Sequence, residues 1–394
     1  MKTLYNIIIH FYVISIYISS LFNAKSKQWV RGRKNILTSI EKAINNHKNI
    51  VWFHCASLGE YEQGKPIIEA YKAKSPTHKI LLTFFSPSGY EVRKGAPLAD
   101  FVFYLPADTK SNAKRFISIV KPIKAIFVKY EFWFNYMAEL NKQNIPFYSV
   151  SAIFRDEQPF FKYKWWAKQL KNVTHFFVQD EKSAQLLNRI GFSNYTISGD
   201  TRFDSVLTNA KNPVRIPLIE SFSKRKPTII CGSTWPKDEI LLAKYLKDHP
   251  ENNYIIAPHE LQNISALQRQ TNALLFSEAG DTNISNSNIL IIDSIGLLSN
   301  IYQYADIAYI GGGFGVGIHN ILEAVAFGLP VIFGPNYQKS NEAKKLIKQK
   351  GAISICNYKE LSSAIDFFNI FDKSIALNYI EENHGATKSI IAHI

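Results

Sequence analysis

Apolar positions along the chain fall into two kinds of pattern. Residues 4–22 form one stretch without a charged side chain, rich in Ile, Tyr and Phe, and its length approaches the ~20 residues that cross a bilayer. Beyond it, short continuous apolar runs alternate with stretches of helical periodicity. Runs at 50–55, 80–85, 101–105, 125–128, 147–151, 175–178 and 195–198 predict strands, with helices such as 60–74 and 110–120 between them. A second series follows at 228–231, 254–257, 289–292, 307–310, 331–333 and 353–355, separated by helical stretches that include 238–246, 318–327 and 341–350. Continuous apolar strands between helices mark parallel sheets covered on both faces. The predicted class is therefore α/β, with two parallel-sheet domains facing a cleft behind an N-terminal membrane helix. Between the two series, Asn209, Asn212, Pro213, Pro217, Ser221 and the basic run Lys224-Arg225-Lys226 read as a linker. The expected organisation is an anchor at 1–24, an N-terminal domain at 25–208, a linker at 209–226 and a C-terminal domain at 227–394.

What flanks the apolar N-terminus sets its expected orientation. Lys25, Lys27, Arg31, Arg33 and Lys34 follow it, and such a cluster favours the cytoplasmic side, so the rest of the chain is expected to face the cytoplasm. A cleaved signal peptide is the rival reading, against which stand the length of the stretch and the absence of a small-x-small site before the basic cluster. An interfacial helix is a third, because Asn6 and His10 interrupt the run. The whole chain of 394 residues suits two domains. Its formal net charge of +14 attracts phosphate, whether of nucleic acid, anionic lipid or an acidic sugar donor. Three widely spaced cysteines give neither a metal pattern nor a disulfide framework. Cys55 and Cys231 each end an apolar run and read as buried free thiols, which suits a reducing compartment.

Candidate chemistry gathers at the predicted strand ends. Phe53-His54-Cys55-Ala56-Ser57-Leu58-Gly59-Glu60 reads as strand, tight turn and helix start. Two roles fit Glu60. Ser57 and Glu60 match a capping box, in which the glutamate reaches back to the Ser57 amide. A glutamate on a strand-end loop can also be placed as a general base. Lys129-Tyr130-Glu131-Phe132-Trp133 follows the run 125–128, so Glu131 is either a sugar-binding carboxylate among aromatic rings or an exposed loop glutamate paired with Lys129. In Gly199-Asp200-Thr201-Arg202-Phe203-Asp204, Arg202 can grip a carboxylate or phosphate bidentately, or simply pair with Asp200 or Asp204. Cys231-Gly232-Ser233-Thr234-Trp235 offers amide and hydroxyl donors, or is a turn and N-cap.

The most informative motif is Gly311-Gly312-Gly313-Phe314-Gly315, followed by His319-Asn320-Ile321-Leu322-Glu323 at a helix start. Glycines let amides approach an anion at a helix N-terminus, and Glu323 is suited to accept from ribose hydroxyls. No Gly-Lys-Ser/Thr follows, so it is not a P-loop, and the lack of a G-x-G-x-x-G with a downstream acid argues against NAD. A glycine-rich packing turn is the plainer alternative. Residues 160–168 mix cations with large rings; such a helix either lies in a lipid interface or is a core helix with snorkelling lysines, and beside an apolar N-terminus the interface is expected.

Taken in order along nearly the whole chain, Ala56-Ser57-Leu58-Gly59-Glu60, Glu131-Phe132-Trp133, Gly199 to Asp204, Gly232-Ser233-Thr234, Ala257-Pro258-His259, the glycine motif with His319 to Glu323, and Gly334-Pro335 resemble the 3-deoxy-D-manno-octulosonate (Kdo) transferase family. The resemblance implies a GT-B fold of two Rossmann-like domains. It implies an inverting glycosyltransferase that moves Kdo from CMP-Kdo to a lipid A precursor (lipid IVA) in lipopolysaccharide biosynthesis at the inner membrane, with no cofactor or metal. It implies Glu60 as general base, Glu131 as a glutamate important for catalysis, and Arg202, where the family usually has lysine, as a cation offsetting transition-state charge. The CMP contacts implied are Pro258, His259, Gly296, Leu297, Leu298, Asn320, Ile321, Leu322 and Glu323. Some positions depart from the family pattern: Pro258 stands where an arginine is frequent, Leu297 where a glutamate is usual, and Tyr130-Glu131-Phe132-Trp133-Phe134-Asn135 for Thr-Glu-Leu-Trp-Pro-Asn. A transferase using a UDP-sugar, a non-catalytic membrane-surface binding protein and a nucleic-acid binder are the alternatives; no recognition motif supports the last.

Overall fold

Every strand pairs in parallel with its neighbours. The computed structural model describes residues 1–394 and divides into one unit of Met1–Ser205 with His384–Ile394 and another of Val206–Asn383. The first holds β1 (Ile50–Cys55), β2 (Lys79–Phe84), β3 (Phe101–Tyr104), β4 (Lys124–Val128), β5 (Phe147–Ala152), β6 (His175–Val178) and β7 (Tyr195–Ile197). The second holds β8 (Thr228–Thr234), β9 (Asn253–Pro258), β10 (Leu274–Leu275), β11 (Ile289–Ile291), β12 (Ile307–Ile310), β13 (Val331–Phe333) and β14 (Ala352–Ser354). Strand β10, two residues long, is too short to leave a pattern in the sequence.

The apolar runs are continuous because both faces of each sheet are covered. In β1 every residue is buried. Ile50 and Trp52 enter one core with Leu81, Ala125 and Phe127, while Val51, Phe53 and Cys55 enter the other with Ile80, Leu82 and Ile126. Trp52 is the centre of the first core, with Phe116, Phe127 and Tyr136 at centroid distances of 4.7, 4.7 and 5.5 Å. Its indole donates to Thr83 Oγ1 at 2.7 Å, so the buried N–H is satisfied.

The N-terminal segment departs from expectation. Its helix is Lys2–Ser19, and no helix of the chain is long and apolar enough to cross a membrane. The polar residues inside the run explain the difference, because the protein uses them. Tyr5 and Ile9 are buried in the first unit. The Tyr5 hydroxyl donates to Asp108 Oδ2 at 2.6 Å, and Asn135 Nδ2 donates to Asn6 Oδ1 at 2.9 Å. Asp108 also accepts the amides of Asn135 and Tyr136. Tyr5→Phe withdraws one donor from a buried carboxylate and is expected to destabilise the first unit by about 1–2 kcal/mol, read as a lower urea midpoint at unchanged slope. The opposite face of the same helix carries Leu4, Ile7, Ile8, Phe11, Ile14 and Ile18 in the open.

Two expected boundaries shift. Helix Pro217–Ser223 lies within the segment read as a linker, yet its Ile219 and Phe222 are fully buried and Phe222 O accepts from Asn253 Nδ2 of β9, so these residues are part of the second unit. Residues 384–394, expected in the C-terminal domain, return to the first unit. There Ile390 joins the core beside Phe53 and Ile67, and Asp204 accepts the amides of Gly385 and Thr387. Residues 160–168 also differ from the interfacial expectation. Phe160 is core, Trp165 and Trp166 pack edge-on to Phe134 at 5.5 and 4.9 Å, and the lysines are outside.

Candidate active site

The first sheet runs β3-β2-β1-β4-β5-β6-β7. The chain leaves β1 towards one side and crosses to β4 on the other. The carboxyl ends of β1 and β4 flank that reversal, where open parallel sheets bind ligands. Glu60 follows β1 and Glu131 follows β4, so the topology brings the two acids singled out in the sequence to one switch point.

Glu60 lies in the first turn of helix Leu58–Lys74 and is 7% exposed. The Ser57 amide donates to its Oε2 at 2.9 Å, which is the glutamate half of the capping box. Gly64, one turn on, sits where a Cβ would come within 3.0 Å of Cys55 Sγ and 3.1 Å of Val128 Cγ2, so the helix lies close on β1 and β4. Burial, and then the charge of Glu131, push the Glu60 carboxyl up to about 7, against the pull of Lys129 and the Ser57 and Ala56 amides. A carboxylate that exchanges its proton near neutrality is matched to work as a general base. Capping and catalysis are thus compatible in one side chain.

Glu131 is held by one hydrogen bond and has a buried histidine beside it. Trp133 Nε1 donates to its Oε2 at 3.0 Å, and His54 Nε2 lies 3.7 Å from the same oxygen. His54 is fully buried, with Nδ1 3.1 Å from the Thr83 carbonyl. Nδ1 also lies 2.9 Å from Thr83 Oγ1, and Nε2 has no hydrogen-bond partner. Lys129, read from the sequence as a partner for Glu131, interacts electrostatically with Glu60 instead. Its backbone is left-handed, at φ 61°, which turns the chain sharply at the end of β4. Arg202 binds Asp200 through Nε at 2.8 Å and Nη2 at 2.6 Å. Asp200 in turn accepts from Gln63, on the Glu60 helix, at 3.1 Å.

The second sheet runs β10-β11-β9-β8-β12-β13-β14, which sets its reversal between β8 and β12. Ser233 to Trp235 and the glycine motif meet there. A Cβ on Gly311 would fall 2.2 Å from Ser233 O, and one on Gly313 would fall 2.5 Å from Gly334 N, so backbone packs directly on backbone. Beneath the motif lies Asp238, with no exposed surface. It accepts from the Trp235 amide at 2.9 Å, the Gly312 amide at 2.9 Å and the Tyr309 hydroxyl at 2.7 Å. The Gly312 amide, expected to face an external anion, is therefore taken by an internal one.

The helix expected at 318–327 shrinks to Leu322–Val325. Asn320 causes part of this: its Oδ1 accepts the Leu322 amide at 3.2 Å and its Nδ2 donates to Glu323 at 3.0 Å. Four residues make no effective helix dipole, so loop amides are what this segment can offer a phosphate. Ile321 and Leu322 are buried and can reach a ligand only through the main chain. Pro258 and the exposed His259 end β9, and Gly296, Leu297 and Leu298 follow β11, with Gly296 at φ 97°. These segments follow the carboxyl ends of β9, β11 and β12.

The sequence profile of a family described as 3-Deoxy-D-manno-octulosonic-acid transferase (kdotransferase) matches residues 31–205. A 3-deoxy-D-manno-octulosonic acid transferase of Rickettsia bellii is 28% identical over 394 aligned residues, covering 94% of this chain and 91% of that protein. One from Aquifex aeolicus is 25% identical over 320 residues, covering 79% of this chain and 83% of that protein. Over most of its length the chain is similar to Kdo transferases, and like them it is a glycosyltransferase. Its fold is also that of a putative UDP-N-acetylglucosamine 2-epimerase from Listeria monocytogenes, with a TM-score of 0.60 at 13% identity over 88% of this chain and 95% of that one.

The matched stretch of the Kdo transferase profile contains Glu60, Glu131 and Arg202. Four residues shape the two switch points in ways that the motifs did not show: His54, Lys129, Trp235 and Asp238. Only the last left a usable signal. Pro236 followed by Asp238 is the mark of a helix N-terminus, proline in the first turn and an acid at the third position.

Proposed function

We propose that this glycosyltransferase moves Kdo from CMP-Kdo to a glucosamine hydroxyl of a lipid A precursor, with inversion, in lipopolysaccharide biosynthesis. The observation that carries the mechanism is the buried Glu60, raised to about 7 beside Glu131. In this mechanism Glu60 takes the proton of the acceptor hydroxyl as its oxygen bonds to the anomeric carbon of Kdo. The bond from that carbon to the CMP phosphate breaks, and CMP leaves with the electron pair. Glu131, oriented by Trp133, keeps Glu60 basic by its charge. Lys129 and Arg202 offset negative charge of the reacting sugar acid. Pro258, His259, the 296–298 loop and the main chain of Asn320, Ile321, Leu322 and Glu323 bind the CMP moiety. The reaction is proposed to need no metal.

The lipid acceptor calls for a membrane surface. Supporting this, the helix Lys2–Ser19 exposes a row of large apolar side chains, continued by Leu21 and Phe22, and Lys25, Lys27, Arg31 and Lys34 come next. A helix that exposes an apolar face and is followed by cations can rest on the head-group region of an anionic leaflet. The proposed location is the cytoplasmic face of the inner membrane, with this helix in the surface.

The test is transfer from CMP-Kdo to a tetraacylated lipid A precursor in detergent with a chelator present. Kdo-bearing product is expected. Consumption of a UDP-sugar with CMP-Kdo untouched would replace the donor, and product only after a divalent ion is added would overturn the metal-free step.

A further inference from the structure

Three rings at the carboxyl ends of β8, β9 and β12 form one cluster in the second unit. Trp235 stacks on His259 with centroids 4.8 Å apart and planes 20° apart, and His259 lies 4.4 Å from His319. Stacking leaves protonation open, but an edge contact decides it. Trp235 Nε1 donates to His319 Nε2 at 2.8 Å. An indole nitrogen is a donor only, so His319 Nε2 presents its lone pair. The ring hydrogen therefore sits on Nδ1. A further proton on Nε2 would set two N–H groups against each other at hydrogen-bond distance.

We infer that Trp235 is a positioning residue that fixes His319 as a neutral imidazole protonated at Nδ1, an uncharged donor for the phosphate of the sugar nucleotide. The phosphate half of this rests on the function proposed above, and the tautomer does not. The groups facing His319 act together with the indole. Burial first, and then His259 across the cluster, lower the proton affinity of His319, while Asp238 from the helix Pro236–Asp248 raises it. The consequence for the reaction is definite. His319 contributes a directed hydrogen bond to the departing CMP and neither a positive charge nor a transferred proton.

Long-range nitrogen–proton correlation spectra of the full chain with isotope-labelled histidine test the tautomer directly. At about pH 6 and about pH 8 the His319 ring is expected to show the same protonated Nδ1 and unprotonated Nε2. Trp235→Phe keeps a ring in the cluster but no donor, and its His319 is expected to mix tautomers and titrate. CMP binding is measured in parallel by calorimetry. His319→Asn, whose amide reaches as far as Nδ1, is expected to bind within roughly twofold of wild type; His319→Gln, which reaches to Nε2, and Trp235→Phe are expected to bind roughly fivefold more weakly. A wild-type His319 protonated at Nε2, or on both nitrogens, overturns the inference. The expected tautomer with equal CMP affinity in all three variants overturns the phosphate role. A wild type that binds no CMP sinks that role together with the proposed function, and the spectra alone then decide the tautomer.

Discussion

Replacing Glu60 by glutamine is expected to slow Kdo transfer about a hundred- to ten-thousand-fold and, in the same protein, to raise stability above neutral pH. Both effects come from one carboxyl. In the unfolded chain it ionises around its ordinary value of 4.5, and in the fold around 7. Between these the folded protein holds a proton that the unfolded chain has lost. Stability therefore falls as pH rises through this window, and above it the ionised Glu60 costs about 3 kcal/mol. Glutamine cannot ionise, yet its amide oxygen still accepts the Ser57 amide. Urea unfolding at about pH 8 should favour Glu60→Gln by up to ~3 kcal/mol, the two proteins converging near pH 4. Turnover of the wild type should climb with pH, half-maximal near 7, to a plateau roughly one pH unit higher, and the residual activity of the variant should lack that climb. A variant with full activity would return Glu60 to helix capping alone, and equal stabilities at both pH values would refute the buried charge.

Asp238→Ala should destabilise the second unit by about 3–5 kcal/mol. The carboxylate satisfies two amides and a tyrosine hydroxyl, and the bonds from Gly312 and Tyr309 are fully buried; each buried donor left unpaired costs about 1–3 kcal/mol. The loss concentrates at the glycine motif, so amide exchange at Gly312 should accelerate before global unfolding does. Asp238→Asn keeps one acceptor oxygen and should fall between. Thermal unfolding of Asp238→Ala indistinguishable from wild type would show that water replaces the carboxylate without cost.

The sheets were legible because each strand is apolar on both faces; β1 is the clearest case, with Ile50 and Trp52 in one core and Val51 and Phe53 in the other. Glu60 and Glu131 were legible because each follows such a run at once. What the sequence hid depends on contacts between distant segments. His54 looks like one more strand residue until Thr83 and Glu131 flank it. Asn6 looks like a blemish in a membrane span until Asn135 binds it. Trp235 and His319 are 84 positions apart and share one hydrogen bond. The glycine motif misled in a different way: its local pattern suits an anion at a helix start, whereas a buried aspartate already takes the Gly312 amide.

The return of residues 384–394 to the first unit makes the second unit an insertion in the first. Such a chain cannot complete its units in the order in which they are translated. The helix Leu58–Lys74 waits, with the apolar seat of Ile390 open to water, until the whole of the inserted unit has been synthesised. Nascent chains should accordingly lean on chaperones at the first unit although it is translated first, and the inserted unit, whose ends are both internal, can mature before its host.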